Sequence, residues 1–211
     1  MQKTSIITLI ALGAPVAMSV PAHADSFVTI SQPTTAYNSE TTDYGGGNGS
    51  IGTINSLGPF SFSSALTEDS VPTSWSTWNT PPAVDSSTPD VLWTGGSSTL
   101  TLTISGTHNV VGFELEPDFS NDSVTATFYD GATVIDALNQ TVDWNGGALL
   151  FALQDTSGDI TSVVITDNTG GDSFAIAQVS AGNVTPEPGT LSLLGLGMLA
   201  LAKRAYRRVK A

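Results

Sequence analysis

The run Thr99-Leu-Thr-Leu-Thr-Ile104 alternates polar and apolar side chains without interruption. Side chains repeat every two residues along a strand and every 3.6 along a helix, so this run buries one face only as a β-strand. The same period returns at Val111, Phe113 and Leu115, and again at Val124, Ala126 and Phe128. Asp130-Gly131 follows as a hairpin dipeptide, with Thr133 to Ile135 as the returning strand. Ala148 to Leu153, Ile160 to Thr166 and Phe174 to Val179 extend the set to seven or eight strands, with Gly, Asp and Asn between them. No helical period intervenes. The expected fold is all-β, an antiparallel β-sandwich of jelly-roll-like form. Its core candidates are Leu100, Leu102, Ile104, Phe113, Leu115, Val124, Phe128, Phe151, Leu153, Val163, Ile165, Phe174 and Ile176.

The segment from Asp25 to Trp93 is less regular. Ser26 to Ile30 and Ser50 to Ile54 read as strands, Tyr44 to Ser50 as a Gly-rich loop, and Pro81-Pro82 and Pro89 as breaks. So few large apolar side chains make a weak independent core, so these segments are expected to add strands and long loops to one sandwich.

Charge is distributed as unusually as hydropathy. The chain has 6 Lys and Arg against 19 Asp and Glu, for a net charge of -13. Lys3 stands at the start and the other five lie between Lys203 and Lys210, leaving no cation from Thr4 to Ala202. A body without cations cannot neutralise phosphate, so nucleic acid is excluded as a partner, as is lysine chemistry. With no Cys there is no disulfide framework and no thiol nucleophile. Such a body holds no Lys or Arg salt bridge, and its stability is expected to depend on salt or divalent cations.

The cations belong to the two ends. Met1-Gln2-Lys3, the apolar stretch from Ile6 to Val20 and the small-x-small run Ala22-His23-Ala24 form the three parts of a signal peptide, expected to be removed by signal peptidase. At the other end, Thr185-Pro186-Glu187-Pro188-Gly189 leads into the apolar Leu191 to Ala202 and then a basic run containing Lys203, Arg204, Arg207 and Arg208. The basic run reads as a cytoplasmic stop behind a single apolar transmembrane helix. Gly189 to Ala202 would span only about 21 Å as a helix, short of the roughly 30 Å hydrocarbon core. A segment inserted transiently and then removed fits that length.

Pro-Glu-Pro, a short apolar helix and an Arg-rich end, in that order, resemble a PEP-CTERM sorting signal. The resemblance implies recognition by an exosortase, and release or transfer of the body to the outer surface of bacteria that make exopolysaccharide. It assigns Pro186, Glu187, Pro188 and Gly189 to the sorting motif and says nothing of the passenger's activity. The expected organisation is a signal peptide over 1–24, a secreted passenger over 25–183 and the sorting signal over 184–211.

Within the passenger, Glu114, Glu116, Asp118 and Asp122 form the densest acidic cluster. Hard oxygen ligands suit Ca²⁺, although the spacing matches no defined calcium loop and a solvated acidic loop gives the same pattern. Trp75, Trp78 and Trp144, the last beside Asp143, are candidate glycan contacts, because sugar C–H faces stack on aromatic rings and carboxylates accept from sugar hydroxyls. Buried anchors are the competing reading for each tryptophan. His108 sits in a turn-like Gly106-Thr-His-Asn109, with no G-x-S-x-G motif in the chain. No catalytic constellation emerges. The expected protein is an exported cell-surface or matrix protein, non-enzymatic and polysaccharide-binding, requiring no cofactor and with calcium as its candidate ion. A secreted glycan-active hydrolase is the alternative.

Overall fold

The computed structural model describes residues 27–46, 52–170 and 173–184. The expected signal peptide, Pro-Glu-Pro motif, apolar helix and basic stop lie outside the described residues. No described helix is long and apolar enough to cross a membrane.

The elements are β1 (Phe27–Ile30), α1 (Thr35–Glu40), β2 (Thr41–Asp43), β3 (Thr53–Leu57), β4 (Phe60–Ser70), β5 (Asp90–Trp93), β6 (Thr99–Ile104), β7 (Val110–Pro117), β8 (Asp122–Asp130), β9 (Thr133–Val142), β10 (Leu149–Asp155), β11 (Ser162–Asp167) and β12 (Phe174–Gly182). The strands form one antiparallel sheet in the order β1-β10-β7-β12-β5-β4-β6-β11-β8-β9, with β2 added to β12 and β3 to β4. The all-β antiparallel architecture expected from the sequence is present, and a single continuous sheet curls into a near-closed barrel.

β4 makes the corner. Phe60 to Phe62 pair with β6, and Thr67 to Ser70 pair with β5. Between them Ser63, Ser64 and Ala65 are exposed in succession, so the alternation breaks where the strand bends from one half to the other. The two ends of the path, β1 and β9, face each other across a groove of about 250 Å³ lined by Thr29, Ile30 and Ala137 to Gln140. Gln140 reaches past this seam, its Nε2 donating to Leu150 O at 2.9 Å.

Every core candidate read from the alternation is buried in one cluster inside the barrel. Phe113 and Phe151 stack there at 5.7 Å between ring centroids. The hairpin at Asp130-Gly131 forms as expected, with Asp130 opposite Thr133 and Gly131 at φ 57, a conformation glycine adopts without strain.

A second layer covers the outside of one half. Val71, Trp75, Trp78 and Val84, from the β4–β5 connection, pack on Val91, Ala148, Ala175 and Ala177. Tyr37 of α1 packs on Val110, Leu150 and Ala152. α1 approaches so closely that a Cβ on Gly112 would strike the Tyr37 hydroxyl and Ala152. All eight residues of β7 are therefore buried, on both faces.

Candidate functional site

β7 sends Val111, Phe113 and Leu115 into the barrel, so Glu114 and Glu116 point outward beneath the β4–β5 connection. The structure brings each glutamate to a tryptophan. Trp78 Nε1 donates to Glu114 Oε2 at 2.9 Å, and the Asp85 backbone N–H donates to Oε1 at 2.5 Å. Trp75 Nε1 donates to Glu116 Oε1 at 3.1 Å, joined by Thr77 Oγ1 at 2.8 Å. Asn79 Nδ2 fastens the same segment to Ala148 O at 3.0 Å. The connection is thus riveted to β7 by indole–carboxylate pairs, with apolar contact between the rivets.

Burial dominates the electrostatics of these acids. It pushes Glu114 up to about 7, against the donors from Asp85 and Trp78 that favour the ionised form; the charges of Asp85 and Asp43 add to the rise. Glu116 is raised by burial too, opposed by Thr77, Trp75 and the Ala148 backbone, with the charge of Asp143 adding to the rise.

This placement corrects two expectations. Trp75 and Trp78 are only 8 % and 6 % exposed, so neither offers an open ring to a sugar; their N–H groups hold down the covering segment. The four acids proposed for calcium do not converge. Glu114 and Glu116 are engaged beneath the connection. Asp118, just beyond the strand end, accepts from Ser173 Oγ at 3.0 Å. Asp122, at the start of β8, accepts from Ser120 Oγ and Thr169 Oγ1. Among the described residues no three His, Asp or Glu side chains are grouped to hold a metal ion. His108 is half-buried in the turn between β6 and β7.

Trp144 differs from its two counterparts. It lies on the turn between β9 and β10, where Asp143 Oδ1 accepts from the Asn145 N–H and Gly146 takes φ 82. At 45 % exposure it presents its ring beside a cleft of about 110 Å³ lined by Ser74, Trp75, Ser76, Thr77, Glu116, Asp118, Trp144 and Asn145. The Thr77 hydroxyl also approaches Trp144 O at 3.3 Å, tying the turn to the covering segment. The Trp144 backbone N–H reaches Asn121 Oδ1 at 3.4 Å on the β7–β8 loop, which carries the exposed Phe119. The sequence reading passed over Phe119. Its only signal was a large apolar side chain inside the polar loop Asp118-Phe-Ser-Asn-Asp122.

Several solved structures align with the chain, among them the following three. A family 29 carbohydrate-binding module from Piromyces equi shares 8 % identity over 70 % of this chain and 93 % of its own, with a TM-score of 0.34. The enzymatically active domain of bacteriophage CBA120 tailspike protein 4 shares 11 % over 67 % of this chain and 22 % of its own, again at 0.34. A point mutant of a second family 29 module shares 10 % over 76 % of this chain and 93 % of its own, at 0.29. At these scores the superpositions carry no argument about the ligand. No curated protein matches the sequence. The C-terminal segment does find its match: residues 184–208 fit the model of the PEP-CTERM protein-sorting motif, a signal that implies export and sorting.

Proposed function

We propose that the chain is a non-enzymatic surface or matrix protein whose passenger, residues 25–183, binds extracellular polysaccharide through the cleft beside Trp144. Signal peptidase removes residues 1–24. The segment Leu191 to Ala202 then holds the chain in the membrane, with the basic tail in the cytoplasm, until exosortase acts at the Pro186-Glu187-Pro188 motif. No cofactor is required. Calcium enters as a bridge between the acidic surface and polysaccharide.

The observation that carries this reading is the exposed Trp144 ring beside a cleft lined with hydroxyls and carboxylates. An aromatic face next to hydrogen-bonding groups suits a sugar, whose apolar and polar faces are both covered by such a pair. Titration of the full chain with a polysaccharide panel tests it. Saturable quenching of tryptophan emission that Trp144→Ala abolishes is the expected result, and no binding to any glycan overturns it. Cleavage of a panel member would transfer the cleft to a hydrolase. Deleting Pro186 to Pro188 tests the sorting half: the precursor is expected to accumulate in the membrane, and normal release of the variant would sink it.

A further inference from the structure

Glu116 is fully buried, and its two carboxylate oxygens are treated differently. Oε1 accepts from both the Trp75 N–H and the Thr77 hydroxyl. Oε2 is buried with no hydrogen-bond partner, and Glu116 belongs to the lining of the cleft beside Trp144. A buried carboxylate oxygen without a donor is costly, and an indole has only one N–H to give. Trp75 has spent its N–H on Oε1, and Thr77 directs its hydroxyl to Oε1 and Trp144 O. The Ala148 backbone favours the ionised carboxylate without giving Oε2 a hydrogen-bond partner, so a group that enters the cleft relieves Oε2 by bringing a donor hydrogen of its own.

Charge narrows the partner further. The described residues contain no Lys or Arg, while Asp118 lines the cleft and Asp143 adjoins Trp144. A uronate, sulfate or phosphate placed there would meet carboxylates and no cation. A cleft of about 110 Å³ admits a ring substituent and leaves the ring itself outside, against the exposed indole.

Resting on the polysaccharide reading above, we propose that Glu116 Oε2 is the polar anchor of a subsite for non-anionic sugar units. A hydroxyl or ammonium substituent donates to Oε2 from inside the cleft while the ring lies on Trp144. Neutral sugars and protonated amino sugars share this chemistry.

The test titrates the full chain, with chelator present, with three oligosaccharides: a neutral β-glucan, chitosan and alginate. Tryptophan emission is the readout. The glucan, the chitosan or both are expected to bind, and alginate is not. Glu116→Gln keeps a carbonyl oxygen for Trp75 and Thr77 but turns an amide NH₂ into the cleft. It should weaken binding about tenfold or more, with a thermal midpoint no lower than that of wild type. Asp136→Asn, which removes one charge on β9, should leave binding unchanged. If Trp144→Ala abolishes binding while Glu116→Gln binds as wild type, the anchor is overturned and the glycan reading stands. Alginate binding as tightly as the glucan overturns the anchor as well. Absence of binding to all three, both in chelator and with calcium added back, overturns both.

Discussion

The two halves of the barrel wall carry opposite kinds of outer surface. On β6, β8 and β11 the outward positions include Thr99, Thr101, Thr103, Ser123, Thr125, Thr127, Tyr129, Ser162, Val164 and Thr166. They are exposed or half-exposed, and none carries a charge. Asn139 and Asn168 bridge neighbouring hydroxyls through Thr125, at 2.8 and 2.7 Å. On β7 and β10 the outward positions include Glu114, Glu116 and Leu150, all buried beneath α1 and the β4–β5 connection. The charged face is the covered one and the neutral face is the open one. Outward carboxylates on β7 are attachment points, because each supplies an acceptor for an indole N–H that would otherwise be buried without a partner.

The contrast is sharpest in truncation. Trp78→Ala removes a buried indole and the donor to Glu114 together. It is expected to destabilise the passenger by about 3–5 kcal/mol in urea unfolding. A loss below about 1 kcal/mol would mean that the connection is draped over β7 without being fastened to it.

The second test uses pH. Between pH 4.5 and about 7 the folded chain holds a proton on Glu114 that the unfolded chain has released, so stability falls as pH rises through this window. The loss from this one group is of order 3 kcal/mol, and Glu116 acts in the same direction. Glu114→Gln should flatten the slope of unfolding free energy against pH. An unchanged slope would show that the general repulsion among the acids, and not this covered face, sets the pH response.

The smallest effect is expected on the open face. Thr125→Ala should change stability by no more than about 0.5 kcal/mol, since it removes an exposed hydroxyl whose amide partners can turn to water. A larger loss would mean that the hydroxyl array braces the wall, and would erase the distinction between the two halves.

The inner surface of the barrel was legible because alternation is local. Leu100, Leu102 and Ile104 face inward for the same reason that Thr99, Thr101 and Thr103 face outward. β4 was not legible. Phe60-Ser-Phe begins the alternation, but Ser63-Ser-Ala65 interrupts it at the bend, and the strand reads as two fragments. α1 is only six residues long; Thr34 caps it, its side chain accepting from the Tyr37 N–H, and it offers too few turns for a helical period. Of the candidate site, Trp144 beside Asp143 was visible from the turn Asp143-Trp-Asn-Gly146. Trp75 and Trp78 looked the same in sequence and proved buried.

The sequence alone determined the all-β class, the inward-facing residues, the strongly acidic body and the sorting motif over residues 184–208. Each of these is written in residue type, in short-range period or in a contiguous segment. Only the tertiary structure decided that one sheet curls into the whole barrel, and that Glu114 and Glu116 are buried while Trp144 is open. Glu114 and Glu116 meet tryptophans 36 and 41 residues earlier in the chain. An outward glutamate has the same place in a strand's pattern whether it faces water or an indole from a distant loop. The alternation specifies which side of the sheet a residue takes, and the path of the rest of the chain decides what waits there.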